Sequence, residues 1–204
     1  MGCVRILFAL IVLLGWRLDC YAELVERESE FGPTSITYDS LTDHEWLDVT
    51  NTTNMSVLDV ESEMLEGGIY FGWRYATAED LETLFFVSAG LPDNMYVSPE
   101  DAPLYQELLR LFGITIDSVV PGCILCIHAV SGFTSGVSSV DRRYITTLSI
   151  EWADGVVVGM WVGINSGQGV VYSANELTGH WILRDAESVY TEQTSWGDVK
   201  ARYR

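Results

Sequence analysis

The sequence predicts a single α+β domain in which two or three helices pack on an antiparallel sheet. Helix signals are concentrated between residues 56 and 113, whereas strand-like runs separated by turns follow from residue 123 onward. The chain has 204 residues, of which 48% are hydrophobic and 12% aromatic. This composition supplies apolar surface for one ordinary core and excludes disordered or low-complexity chains. We predict one domain over residues 35–185, followed by a C-terminal tail over residues 186–204.

The first part of this domain is predicted to be a short β-hairpin. Residues 35–38 and 45–49 favour strands, and residues 42–44 carry a turn signal between them. Residues 23–34 precede the hairpin, are rich in glutamate and end near a Gly-Pro pair. They are therefore predicted to form a loose acidic leader.

Helices are predicted in the middle of the chain, each beginning at a capping side chain and ending at a glycine. They run from Ser56 to Gly67, from Thr77 to Gly90 and from Asp101 to Gly113. In the first two, an aspartate stands three residues after the capping hydroxyl, which is the capping-box spacing. Between these two helices, the aromatic-rich residues 69–75 favour a strand.

Strands are predicted for the rest of the domain. The strand-like runs cover residues 123–130, 144–152, 155–164, 169–172 and 181–183. Turn signals at residues 153–155 and 165–167 predict antiparallel hairpins, and the Gly/Ser-rich residues 131–139 predict an exposed loop.

The first 22 residues are typical of an export signal. Arg5 precedes an apolar run over residues 6–16, and a small-x-small end at residues 20–22 could be cleaved before Glu23. The run is too short to span a bilayer, which needs about 20 residues in a helix. We predict a signal peptide over residues 1–22 and a secreted protein without a membrane anchor after cleavage. The alternative is an uncleaved interfacial anchor.

The charge of the chain narrows the choice of partners. The sequence has 29 acidic and 11 basic residues, for a net charge of −18. Such a surface repels phosphate backbones, and no local basic patch interrupts it, so we predict no nucleic-acid partner. An extracellular polysaccharide or a protein is the expected partner.

Two cysteines lie in the predicted domain, at Cys123 and Cys126. In an exported protein this C-x-x-C spacing suggests a disulfide or a redox pair, yet the run that follows favours a strand. Residues three apart in a straight strand are about 10 Å distant, which is too far for a disulfide. Either a turn closes the pair or both side chains are buried thiols.

Calcium is the one metal that the sequence suggests. Asp39, Asp43 and Asp48 cluster around a predicted turn, and Ca²⁺ prefers carboxylate and carbonyl oxygens. Their spacing is not that of an EF-hand loop, and a solvated acidic face would explain the same residues. No other cofactor is predicted.

Three short motifs carry a resemblance to known proteins. Residues 45–50 read EWLDVT, residues 72–77 read GWRYAT and residues 181–185 read WILRD. In this order they resemble a family of uncharacterised exported bacterial proteins, many of which end in a PEP-CTERM-type sorting tail. The family is in turn distantly similar to the Lcl C-terminal domain, so the resemblance implies a C-type-lectin-like fold.

The motifs also provide the tentative binding residues, which are Trp73, Arg74, Trp181, Arg184 and Asp185. Two interpretations of the arginines remain open. They could stack on the tryptophans or pair with Asp48, Glu79 or Asp185, which would be a structural role. They could instead form a site for a carboxylate or a sugar.

No catalytic motif accompanies these residues. The chain lacks the G-x-S-x-G, H-E-x-x-H and P-loop patterns, and its histidines are His44, His128 and His180. We therefore predict a secreted, non-enzymatic binding or matrix-associated module that recognises a glycan or extracellular polymer through exposed aromatics such as Tyr96, Phe133 or Trp196. The alternative is an extracellular enzyme with a loop-assembled site, either a hydrolase or a formylglycine-generating-like oxidase that uses the two cysteines.

Overall fold

The computed structural model describes residues 22–93, 98–118, 126–154 and 156–186, and it has the predicted α+β architecture in a single domain. Within these residues, three helices accompany two sheets of five strands each. The predicted signal peptide, apart from Ala22, and residues 187–204 lie outside the described residues. None of the helices in the described ranges is long and apolar enough to cross a membrane.

The first sheet joins strands from both ends of the domain. Its strands are Leu24–Ser29 (β1), Gly32–Asp39 (β2), His44–Leu47 (β3), Arg74–Tyr75 (β4) and Ile182–Asp185 (β10). Their order is β1-β2-β3-β10-β4, and all neighbours are antiparallel. The closing strand β10 therefore lies between β3 and β4, so the three sequence motifs meet in one sheet.

The loose leader predicted for residues 23–34 is wrong, because these residues contain β1 and the start of β2. The acidic composition was misleading, since charged side chains of β1 have partners far along the chain. Glu26 pairs with Arg110 at 2.7 Å, and Arg27 pairs with Glu45 at 3.1 Å.

The second sheet is built from longer strands. They are Ile116–Asp117 (β5), Cys126–Ser139 (β6), Arg142–Ala153 (β7), Val156–Val170 (β8) and Gly179–His180 (β9). The order is β5-β6-β7-β8, and β9 adds a short parallel contact to β6. The antiparallel pairing of β7 with β8 confirms the hairpin predicted at residues 153–155. β6 and β7 are antiparallel neighbours as well.

Two predicted breaks in the second sheet are wrong. Residues 131–139 form part of β6 rather than an exposed loop, because their hydroxyls find cross-strand partners: Ser131 bonds to Thr147 at 3.0 Å, and Thr134 donates to Asn165 at 2.9 Å. Residues 165–167 continue β8 instead of turning. Asn165 has a φ of 52°, and the register shifts near it, so the turn signal is used for a bulge.

The helices follow their predicted starts closely. They are Val57–Glu63 (α1), Ala78–Glu82 (α2), which continues as a π-helix over Thr83–Ser88, and Ala102–Phe112 (α3). Capping boxes are formed by Ser56 with Asp59 and by Thr77 with Asp80, as predicted. These bonds are local, so their signal is visible in the sequence alone.

The core has two parts. The larger cluster combines both sheets with α2 and α3, and its aromatic centre includes Trp46, Phe85, Phe112 and Trp181. Phe85 and Phe112 both meet the Trp181 ring edge-on, with centroids 5.6 and 5.4 Å away. The smaller cluster packs α1 and the segment before β4 onto the opposite side of the first sheet.

Candidate functional site

Two of the tentative binding residues contact each other on the first sheet. They are Arg184, in β10, and Trp73, just before β4. The guanidinium carbon of Arg184 lies 4.5 Å from the centroid of the buried Trp73 ring. Its Nε donates to Glu45 at 2.9 Å and its Nη1 donates to Glu30 at 3.0 Å. The side chain is therefore engaged on three sides, which supports the structural interpretation. Stacking on a tryptophan was among the predicted contacts, whereas the carboxylate partners, Glu45 and Glu30, differ from those predicted.

Glu45 is the centre of this charged network. Its carboxylate is buried and also accepts a bond of 3.1 Å from Arg27, whose guanidinium carbon lies 3.4 Å from the centroid of the Tyr38 ring. Two arginines thus share one carboxylate. This compensates for the cost of removing the charges from water.

Arg74 has a different partner at the start of α2. Its two terminal nitrogens donate to the two oxygens of Asp80 at 2.7 and 3.0 Å. Partial burial acts to raise the pKa of Asp80, but hydrogen bonds from Arg74 and Thr77 outweigh it and hold this pKa at about 2. Arg74 therefore ties the helix to β4, which is the kind of structural role considered from the sequence.

The remaining two motif residues lie apart from each other. Trp181 is fully buried, and its Nε1 donates to the carbonyl oxygen of Thr146 at 3.1 Å. Asp185 is exposed at the end of β10, with its Oδ1 3.4 Å from Nε2 of His44. The structure thus does not bring the five tentative binding residues onto one surface.

The aspartates proposed for calcium serve separate hydrogen-bond networks. Asp39 is fully buried and accepts bonds from the Ser88 hydroxyl at 2.6 Å and from the Leu41 amide at 2.9 Å. Asp43 accepts a bond of 2.8 Å from the Tyr38 hydroxyl, and this bond is the main reason that the pKa of Tyr38 is raised.

Asp48 caps the short 3₁₀ helix that follows β3. It accepts bonds from the amide of Thr50 at 2.9 Å and from its hydroxyl at 2.7 Å, while burial raises the pKa of Asp48. In the described part of the chain, no group of three or more histidine, cysteine, aspartate or glutamate side chains is placed to hold a metal ion. Calcium binding by the three aspartates stays a prediction.

Of the two cysteines, Cys126 is half-buried at the start of β6, opposite Trp152 in β7. Cys123 lies outside the described residues. Whether the pair is bridged therefore stays a prediction.

His180 is held in the core rather than in a cleft. Its Nε2 lies 3.0 Å from the carbonyl oxygen of Met55, which can only accept, so the ring proton sits on Nε2. Nδ1 then accepts a bond of 2.7 Å from the Tyr75 hydroxyl. Burial lowers the pKa of His180 to about 4, and burial also raises the pKa of Tyr75. The imidazole is therefore neutral near pH 7 and has a structural role.

A small groove lies elsewhere, between β1, the end of the π-helix and α3. It has a volume of about 250 Å³, and its walls include Leu24, Ser88, Leu104 and Leu108. Neither His180 nor Cys126 lines it. The groove thus provides no catalytic histidine or thiol for the enzyme alternative.

Among the aromatics suggested for binding, Phe133 is buried, with its ring centroid 5.2 Å from that of His180. Tyr96 and Trp196 lie outside the described residues. An exposed aromatic is found instead at Phe71, within the segment predicted to form a strand.

Phe71 belongs to a loop over residues 65–73, which we call the anchored loop. Three of its large apolar side chains face solvent: Leu65 is 67% exposed, Ile69 60% and Phe71 60%. These three side chains lie within seven residues of one loop, and exposed apolar patches are typical of contact surfaces.

Tyr70 holds the anchored loop from beneath. Its side chain is buried, and its hydroxyl donates to the carbonyl oxygen of Asn51 at 3.1 Å. The Phe31 ring packs against Tyr70 and Trp73, with centroid distances of 5.4 and 6.0 Å. The exposed side chains therefore project from a segment that is fixed on both sides of Phe71.

Glycines allow the backbone conformation of the anchored loop. Gly67 and Gly72 have φ values of 89° and 87°, in the region that favours glycine. A Cβ on Gly68 would lie 2.1 Å from the carbonyl oxygen of Glu63. The strand predicted for residues 69–75 is accordingly limited to β4. An aromatic run bracketed by glycines is the signal that could have indicated a loop.

Comparisons with known proteins add no family to these observations. No family model, no curated protein and no solved structure matches the chain. The resemblance carried by the three motifs stays a prediction, and the function is argued from the geometry above.

Proposed function

We propose that the protein is a secreted, non-enzymatic binding module that holds an extracellular glycan polymer on the anchored loop. The observation that carries this proposal is the exposure of Phe71 and its two aliphatic neighbours on a segment fixed by Tyr70 and Trp73. A segment whose backbone is already fixed loses less conformational entropy when a ligand binds to it, so more of the contact energy contributes to affinity.

The surroundings of the loop add acceptors for hydroxyl groups. Glu66 is exposed within the loop, and the partly exposed Glu30 lies beside Arg184 below it. Carboxylates accept strong hydrogen bonds from hydroxyl donors. An apolar ring with acidic neighbours therefore suits the alternating apolar and hydroxyl-bearing faces of a sugar chain better than it suits an anionic polymer.

The arginine pairings also favour a binding module of this kind. Arg74 and Arg184 are already bonded to carboxylates of the chain, so a carboxylate ligand would have to displace Asp80 or Glu45. A neutral polymer has no such competitor.

The test is retention of the purified protein on a panel of immobilised bacterial exopolysaccharides and host glycans, with calcium and again with EDTA. We expect retention on a neutral polymer that survives EDTA. Phe71→Ala should weaken it at least tenfold, which corresponds to about 1.4 kcal/mol. Phe71→Leu keeps apolar area without the ring face, so it separates stacking from general apolar contact.

Val87→Ala is the matched control, because Val87 is 62% exposed on the π-helix, outside the loop. Retention that depends on calcium would favour the site at Asp39, Asp43 and Asp48 instead. Retention unchanged in Phe71→Ala would exclude the anchored loop. No retention on any polymer would exclude glycan binding and would leave a protein partner as the alternative.

A further inference from the structure

Strand β8 forms one edge of the second sheet. It has 15 residues, and in the order β5-β6-β7-β8 only β7 pairs with it. Among the described residues, no strand pairs with its outer side, so the backbone groups on that side have no strand partner. Such an edge is a template for pairing with another strand.

The composition of β8 leaves this edge unprotected. The strand reads VVVGMWVGINSGQGV, without a charged residue or a proline, in a chain with 40 charged residues. Natural edge strands are commonly protected by lysine, proline or short length. Large apolar side chains are also exposed along it: Val156 is 63% exposed, Val158 56% and Trp161 43%.

The middle of the strand is regular enough to pair. From Gly159 to Gly163 its partners in β7 follow one another without a shift, and the irregularities lie on either side. The Trp161 ring lies along its own strand, because a Cβ on Gly163 would collide with it. The ring therefore does not project across the open edge.

Charge limits where a second copy of the chain could approach the molecule. Two copies of a chain with a net charge of −18 repel each other over most of their surfaces. A strand without charge is where they can approach with least repulsion. Antiparallel pairing of β8 with β8 of a second copy follows a two-fold axis. Each copy then covers the β8 edge of the other, so the assembly closes at a dimer.

We propose that β8 is a homodimerisation edge, which pairs antiparallel with β8 of a second copy to form one continuous sheet. This inference is independent of the anchored loop, which belongs to the other sheet's surface. Glu151 of β7 lies beside the strand, because a Cβ on Gly159 would lie 3.1 Å from its carboxylate oxygen, and the chain as a whole has a net charge of −18. Added salt should therefore tighten the dimer by screening the repulsion between copies.

Sedimentation of the purified protein tests the proposal. We expect the mass to rise from one chain to two between about 1 and 100 µM, and to do so at lower concentration in high salt. Val158→Asp places a like charge on the edge and should weaken association at least tenfold. Val140→Asp makes the same change at a 99% exposed position in the β6–β7 turn and should leave association unchanged.

Hydrogen exchange keeps the proposal testable if Val158→Asp does not fold. In the wild-type protein, amides within Val156–Val170 should exchange more slowly at high concentration than at low concentration, whereas those of β1, an edge strand of the first sheet, should not change. A monomer at all concentrations would overturn the proposal. So would a dimer that protects other segments and leaves β8 unprotected.

Discussion

The first sheet and the edge strand β8 of the second sheet differ in the charge that they carry. The first sheet buries Glu45 between Arg27 and Arg184, so charges from β1, β3 and β10 become part of its structure. The second sheet ends in β8, which has no charge at all. In this acidic chain, five of the described arginines form ion pairs within the chain. The two surfaces that we propose for association present exposed apolar side chains in the anchored loop and an uncharged strand in β8.

The arginines show this most clearly. Those that form ion pairs within the described residues are Arg27, Arg74, Arg110, Arg143 and Arg184. Arg143, which pairs with Glu61, also lies over the Tyr75 ring, with its guanidinium carbon 4.4 Å from the centroid. The arginines that lie next to a tryptophan, Arg74 and Arg184, therefore have a structural role in this chain.

The largest effect on stability is expected when the buried carboxylate of Glu45 is removed from the first sheet. Glu45→Gln leaves Arg27 and Arg184 without their shared partner, so we expect the free energy of unfolding to fall by about 3 kcal/mol. Urea unfolding at pH 7 measures this change. Glu151→Gln is the matched control in β7, because Glu151 forms no ion pair in the described structure, and it should change stability by less than about 0.5 kcal/mol.

Equal losses of unfolding free energy in the two variants would contradict this prediction. They would mean that the ion pairs of Glu45 contribute no more to stability than an ordinary half-buried glutamate does.

Lowering the pH tests the contact between the two sheets that His180 makes with Tyr75. Its pKa falls from 6.5 to about 4 on folding, so its stabilisation is complete above pH 6.5 and is lost as the pH falls towards 4. The loss from this group is on the order of 3 kcal/mol, since each unit of pKa is worth about 1.4 kcal/mol. Urea unfolding between pH 7 and pH 4 should show the decline.

An NMR titration of the His180 imidazole separates this group from the other titrating side chains. We expect the folded ring to stay neutral until the pH approaches 4. Protonation near pH 6.5 without unfolding would show that the Tyr75 and Met55 bonds do not hold the ring as described.

The smallest expected effect distinguishes the two motif arginines. Arg74 is half exposed, so Arg74→Ala should cost about 0.5–1 kcal/mol, in the range of a surface ion pair, and should raise the pKa of Asp80. Arg184→Ala should cost about 3 kcal/mol because it leaves the buried Glu45 short of a partner. Thermal and urea unfolding of the pair measures the difference. Similar losses would show that burial does not separate them.

The elements that could be predicted are those with local signals. The capping boxes at Ser56 and Thr77 join groups three residues apart, so both helix starts were predicted correctly. The extent of β6 was not predicted correctly. Ser131 and Thr134 favour a loop by residue type, and only the structure shows that they bond to Thr147 in β7 and Asn165 in β8. Small polar residues favour a loop only when no cross-strand partner satisfies them.

The candidate site was predictable only in part. The second motif was singled out, and Trp73 and Arg74 in it do connect the loop to the first sheet. Yet the exposed aromatic beside it is Phe71, and the aromatic-rich residues 69–75 predict a strand. Aromatic residues are compatible with a strand and with an anchored loop, and the positive φ values of the flanking glycines decide between them.

By itself, the sequence determined the α+β class, the helix starts and the acidic charge, because these depend on composition and on hydrogen bonds within a few residues. Only the tertiary structure decided which carboxylate each arginine meets, where His180 places its proton and which aromatic faces solvent. Arg184 and Glu45 are 139 residues apart, and His180 and Tyr75 are 105 apart. Contacts at such separations depend on how the sheets and helices pack, and no local pattern encodes them.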